Sequence, residues 1–161
     1  MLYSKTTEYA IRALACLAIK KEESSDGHHF TKIPEISHET GVPGPYIAKI
    51  FQCLVRRGLL VSRRGVDGGF ALNRDPKIIS VMEVIEAIED VSPFHHCVMG
   101  FEECSADNAC PLHHIWKAAK DRISDKLRVT SIIEMAKKNK PNQYRGIKRS
   151  QLHLIFNGSG I

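Results

Sequence analysis

No stretch of this sequence reaches 18 consecutive apolar residues, which excludes a transmembrane helix. The N-terminal MLYSKTTEYAIRALACLAIKK is apolar in parts, but Glu8 and Arg12 interrupt it and no signal-peptide cleavage pattern follows. The expectation is a cytoplasmic protein with no membrane partner. No Cys-x-x-Cys pair occurs, and the five cysteines (Cys16, Cys53, Cys97, Cys104 and Cys110) are odd in number. A disulfide framework is therefore not expected. There is no phosphate-binding glycine loop, no nucleophile–base pairing and no pair of carboxylates in a defined pocket. The chain does not read as an enzyme.

What is present is an ordinary globular composition: 161 residues, 43% hydrophobic and 25% charged. That is the size of one domain plus an appendage, and it excludes a wholly disordered chain. The net charge of +5 is unevenly spread. Residues 78–116 contain no lysine or arginine and carry −7. Residues 44–77 carry +5, and residues 135–161 carry +6. The zone at 44–77 is where nucleic-acid binding is expected, because bulk charge without the tail is close to zero.

Periodicity organises the chain. Residues 4–21 predict a helix capped by Ser4, with Ala10, Leu14, Leu17 and Ala18 at helical spacing. Residues 32–40 predict a short helix that Gly41 ends. A second helix follows the turn Gly41-Val42-Pro43, with Gly44 as cap and Pro45 at its first position, running to Arg57 and stopping at Gly58. Its stripe of Ile47, Ile50, Phe51, Leu54 and Val55 is buried in this reading. Tyr46, Lys49, Cys53 and Arg56 lie on the opposite face. Short helix, tight turn and second helix make a helix-turn-helix. Residues 59–63 and 70–72 predict a hairpin around Arg64-Gly65-Val66-Asp67-Gly68-Gly69, a wing. The capping box Ser80-Val81-Met82-Glu83 opens a helix to about Asp90. From Pro111 to about Lys138 one long helix is expected, striped by Ile115, Ala119, Ile123, Leu127, Thr130 and Ile133. So long a stripe suits a homodimer, which would pair two wings on a palindrome.

The fold class is thus mainly α with a small β-hairpin wing: a winged helix-turn-helix plus a long dimerisation helix. Residues 1–75 form the DNA-binding module. Residues 76–138 hold a linker helix, a cysteine loop and the dimerisation helix within the same compact domain. Residues 139–161 form a basic tail expected to be mobile.

Tyr46, Lys49, Arg56 and Arg57 are the expected DNA-facing residues of the second helix, with Tyr46 and Lys49 nearest the base edges. Arg63 and Arg64 would reach phosphate or the minor groove. Gly68 and Gly69 would let the backbone approach closely. Cys53 is read as a packing or partly exposed thiol rather than a reader.

Three cysteines cluster as Cys97-x6-Cys104-x5-Cys110, with His113 following after two residues. Thiolates are soft ligands, and these wide gaps suit a loop around an iron–sulfur cluster better than a zinc site built on close pairs. His113 stands three positions after Cys110 and shares its helical face. His114 points away, and His95 and His96 read as surface histidines. Glu8 reads as an exposed acid in a helix first turn.

The segments TTEYAIRAL, GVPGPYIAKIFQCLVRRGLL, SRRGVDGGFAL and SVMEVIEAIE, with the three cysteines behind them, resemble the Rrf2 family of bacterial winged-helix transcriptional regulators over residues 1–137. The resemblance implies a homodimer on palindromic, double-stranded promoter DNA. It implies one iron–sulfur cluster per protomer, of the 2Fe–2S or 4Fe–4S type, held by the three loop cysteines and a fourth ligand. In one family pattern the fourth ligand is a histidine three residues after the last cysteine, here His113. In another it is an acidic residue on the first helix of the partner subunit, the place of Glu8. The expected function is a repressor whose promoter binding responds to iron, nitric oxide or redox state through the cluster. Two alternatives stand beside it: a cluster-free winged-helix regulator sensing by thiol oxidation or zinc, and an iron–sulfur carrier.

Overall fold

The structure, a computed structural model, describes residues 3–24, 29–89, 99 and 109–138. Among the described residues there are six helices and one antiparallel hairpin, in the order α1 (Lys5–Glu23), α2 (Ile33–Thr40), α3 (Gly44–Arg56), β1 (Leu60–Arg63), β2 (Gly69–Leu72), α4 (Val81–Ile88), α5 (His113–Val129) and α6 (Ile132–Lys138). The fold is mainly helical with a two-stranded wing, as the sequence predicts.

Helix α1 is the centre of the molecule. The Ser4 hydroxyl accepts from the Thr7 N–H and so caps its first turn. Ala10, Ala13, Leu14, Leu17 and Ala18 are buried. The alanines on this helix let α2, α3, α4 and α6 pack around it. Removing a leucine side chain such as Leu14 from water contributes about 1.5–3 kcal/mol.

Helices α2 and α3 meet at the turn 41–43, where Gly41 adopts φ 70° and Val42 is buried. Left-handed backbone at that site is open to glycine at little cost. Pro43 stands at the N-cap of α3 and Gly44 is already helical, one residue earlier than the sequence suggests. Ile47, Ile50, Phe51 and Leu54 point into the core as predicted. Cys53 does not share the outward face. It is half-buried, and its thiol donates to the Ala87 carbonyl of α4 at 3.2 Å.

The wing pairs Leu60 with Leu72 and Arg63 with Gly69. A third segment joins it, because Thr31 exchanges backbone hydrogen bonds with Phe70, each of 2.9 Å. Phe51 of α3 packs edge-on against Phe70 of β2 at 5.0 Å between centroids, which fixes the hairpin to the helix.

The long helix expected over 111–138 is divided. Helix α5 ends at Val129, Thr130 is extended (φ −85°, ψ 119°), and α6 begins at Ile132. Two backbone hydrogen bonds cause the break. The Val81 N–H donates to the Thr130 carbonyl and the Ile132 N–H to the Ile79 carbonyl, each of 2.9 Å. These bonds capture backbone groups that a continuous helix would use itself. The Ser131 hydroxyl then caps α6 by accepting from the Glu134 N–H. Ile132, Ile133 and Ala136 of α6 are buried beside α1. Helix α5 behaves differently. Its buried residues are His113 and Lys120, Ile123 and Leu127 are half-buried, and Ile115, at the head of the apolar stripe, is 75% exposed. None of the described helices is long and apolar enough to cross a membrane.

Candidate nucleic-acid interface and cysteine site

Helix α3 and the wing present their polar residues side by side. Tyr46 sits in the first turn of α3, with its N–H donating to the Pro43 carbonyl at 3.0 Å. Tyr46 is 42% exposed, and its ring forms an edge-to-face pair with that of Tyr9 of α1 at 6.1 Å between centroids. Lys49 follows one turn later and is exposed, as are Arg56 and Arg57 at the end of the helix. The structure therefore keeps Tyr46, Lys49, Arg56 and Arg57 accessible to a ligand. The basic zone is thinned elsewhere, because Arg74 forms an ion pair with Glu83.

At the wing tip, Arg63 and Arg64 behave differently. Arg64 is exposed and makes no ion pair or side-chain hydrogen bond among the described residues. The Arg63 guanidinium lies 4.3 Å from the centroid of the Phe30 ring and donates twice to the Asp67 carbonyl, at 3.2 and 2.6 Å. In sequence these two arginines are a pair, and nothing local points to Phe30, which lies far from Arg63 along the chain.

The glycines serve the hairpin itself. Gly68 is buried, and a Cβ there would stand 2.3 Å from the Arg63 carbonyl oxygen. Gly69 has φ 146°, and its Cβ would stand 2.5 Å from the Thr31 carbonyl oxygen. Both of these close approaches are to the protein's own backbone.

Of the cysteine site, Cys110, His113, His114 and Glu8 are described, while Cys97, Cys104, His95 and His96 lie outside the described residues. The Cys110 carbonyl accepts from the His113 N–H at 2.9 Å, so the two residues share one turn at the start of α5. Cys110 is half-buried and His113 is only 4% exposed, with its ring edge-on to His114. Among the described residues no group of three or more histidine, cysteine or acidic side chains gathers at one point. Glu8 is half-buried and not a bare surface acid, since it bridges Lys5 at 2.5 Å and pairs with Arg12.

Cys16 and Glu39 form a feature that the sequence reading missed. Cys16 is buried, and its thiol donates to Glu39 at 3.1 Å. Burial first, and then the neighbouring Glu39 carboxylate, push this thiol far above its ordinary value. Burial on its own would raise the Glu39 pKa. The hydrogen bonds from Lys20 and Cys16 outweigh it and hold the carboxyl below the usual range.

The family model Rrf2, described as an iron-dependent transcriptional regulator, matches residues 3–138. The chain belongs to the Rrf2 family. Its relatives include an HTH-type transcriptional regulator of Aquifex aeolicus, 34% identical over 84% of this chain and 91% of the relative. The HTH-type transcriptional regulator IscR of Xenorhabdus nematophila is 31% identical over 80% of this chain and 75% of its own length. Among solved structures, the chain is similar to IscR of T. potens, with a TM-score of 0.63, 24% identity and coverage of 87% of this chain and 89% of the other. It is also similar to CymR, the global cysteine regulator of B. subtilis, with a TM-score of 0.66, 20% identity and coverage of 85% and 97%. These two structures share the winged-helix fold. As a member of the Rrf2 family the chain is a transcriptional regulator and not an enzyme.

Proposed function

We propose that this protein is a homodimeric repressor that binds palindromic promoter DNA, and that an iron–sulfur cluster sets its affinity. The observation that carries the DNA reading is the pairing of α3 with the wing. Tyr46 and Lys49 are exposed in the first turns of the helix, and Arg64 is exposed at the hairpin tip beside it. In this reading Tyr46 and Lys49 meet base edges in the major groove, Arg56 and Arg57 meet the phosphates, and Arg64 enters the adjacent minor groove. Gly68 and Gly69 keep the wing thin enough to follow it. The dimer reading rests on α5, where Leu112, Ile115 and Val129 remain exposed. Such a regulator works beside the chromosome, in the cytoplasm.

The cluster reading assigns Cys97, Cys104 and Cys110 as ligands, completed by His113 or by Glu8 of the partner subunit. What supports it is the chemistry of the donors: soft thiols, and a buried imidazole one turn from Cys110. Glu8 supports the carboxylate alternative less, because Lys5 and Arg12 already engage both of its oxygens. The relatives named IscR add to the reading. When bound, such a group supplies a centre that reacts with oxygen and nitric oxide and reports iron supply.

Anaerobic purification with iron and acid-labile sulfide analysis tests this. A brown protein holding both elements is expected, with Cys104→Ala losing them together with regulated DNA binding. A colourless, zinc-containing protein overturns the cluster and favours the zinc or thiol reading. A brown protein that ignores promoter DNA favours an iron–sulfur carrier.

A further inference from the structure

The wing of this chain is held by an interaction between residues on its two outer segments. Thr31 pairs with Phe70 on one side of β2, and β1 pairs with β2 on the other. Phe30 precedes Thr31, and Arg63 closes β1 opposite Gly69. The Arg63 side chain reaches past β2 and lays its guanidinium 4.3 Å from the centroid of the Phe30 ring. Its Nε and Nη2 also donate to the Asp67 carbonyl, at 3.2 and 2.6 Å, across the tip of the hairpin. The arginine therefore ties three parts of the wing together: the segment leading into α2, the end of β1 and the turn before β2. A planar fork that stacks and donates at once is particular to arginine.

Resting on the DNA-binding reading above, we propose that Arg63 is a positioning residue for the wing and not a DNA contact. Held by Phe30 and by the Asp67 carbonyl, it fixes the angle of the hairpin tip to α3. The wing then delivers its charge to DNA through the neighbouring Arg64. The two arginines are adjacent in sequence but have separate tasks.

Selection from a random duplex pool with the full-length wild-type protein supplies a binding sequence. Fluorescence anisotropy on that duplex, across a salt series, then separates contact from positioning. A phosphate contact contributes about one to the salt slope, whereas a positioning residue changes affinity at constant slope. Arg64→Gln should lower the slope by about one. Arg63→Gln should weaken binding by roughly threefold with the slope unchanged, the scale of an exposed cation–π contact. Phe30→Leu should reproduce it, Phe30→Tyr should restore wild-type affinity, and Arg63→Gln with Phe30→Leu should be no worse than either alone. A slope lowered by about one in Arg63→Gln overturns the proposal, as does wild-type affinity in that variant. Arg63 is exposed, so this variant folds and decides the matter even where Phe30→Leu does not fold. A wild-type protein that enriches no duplex sequence overturns the DNA reading, and this proposal with it.

Discussion

The Glu89 carboxylate accepts a hydrogen bond from the Ser4 backbone N–H at 2.7 Å, joining the end of α4 to the start of α1. The same carboxylate accepts from the Thr7 hydroxyl, which is completely buried. Ser4 therefore works in two directions, since its own hydroxyl caps α1 by accepting from Thr7.

This arrangement makes stability depend on pH. Burial alone would raise the Glu89 pKa, but the bonds from Thr7 and Ser4 outweigh it and hold the carboxyl below the ordinary carboxylate range. A depressed folded-state pKa stabilises the fold above the unfolded value, about 4.3, and that stability is lost as pH falls through the folded value. Glu89→Gln should cost about 1 kcal/mol at pH 7. The difference from wild type should shrink as urea titrations are taken down into acid. A difference that stays constant with pH would mean that the charge has no part in it.

The wing makes a sharper steric prediction. Gly69→Ala would place a methyl group 2.5 Å from the Thr31 carbonyl oxygen on a backbone of φ 146°. No side-chain rotation relieves that contact. The substitution should destabilise the wing by about 1–3 kcal/mol. Amide hydrogen exchange at Thr31 and Phe70, which bond each other, should speed up while α1 stays protected. Unchanged exchange at those two amides would sink the idea.

Helix α6 has its own cap. Ser131→Ala removes the hydroxyl that accepts from the Glu134 N–H and should cost about 1 kcal/mol. Ser80→Ala, which removes the equivalent bond to the Glu83 N–H, should cost a similar amount. Thermal unfolding of the two variants checks the comparison. A neutral Ser131→Ala would argue for one continuous helix in solution.

Cys16 should be inert. Burial, and next the Glu39 carboxylate, favour its protonated form. A raised thiol pKa stabilises the fold below the unfolded value of about 8.5, and the contribution fades as pH climbs towards the folded value. Iodoacetamide at pH 8 should leave Cys16 unmodified in the native protein and modify it after denaturation, as read by mass spectrometry of peptides. Rapid native labelling would show that Cys16 is reactive and overturn this prediction.

The parts of the molecule that are legible in the sequence are those set by neighbours along the chain. Ser4 and Ser80 cap their helices through residues three places on, Gly41 and Gly58 adopt positive φ where helices end, and the Ile47–Leu54 stripe faces inward. Helix-turn-helix and wing follow from these local signals. The break at Thr130 is different. Apolar spacing continues through it, and only bonds to the distant Val81 and Ile79 interrupt the helix. A local sign was present all the same: Ser131-Ile132-Ile133-Glu134 repeats the capping pattern of Ser80-Val81-Met82-Glu83. At the site, exposure of Tyr46, Lys49, Arg56, Arg57 and Arg64 was readable from helix and hairpin geometry. The contact between Arg63 and Phe30 is not, because Phe30 reaches it only through the folded sheet. Periodicity sets Cys53 opposite the buried stripe, and its thiol packs half-buried against Ala87 of α4, in keeping with its reading as a packing or partly exposed thiol.

The division between α5 and α6 bears on how force would travel through the molecule. A second copy gripping α5 would pull on a helix whose C-cap, Thr130, is fastened to Val81 by a backbone hydrogen bond, with a second bond from Ile132 of α6 to Ile79 just beyond it. Helix α6 stays bedded beside α1 and need not follow. Strain from the partner would therefore be delivered at the root of α4, whose far end carries Glu89 and its bonds to the first turn of α1. The molecule has a joint where the sequence suggests a rigid rod.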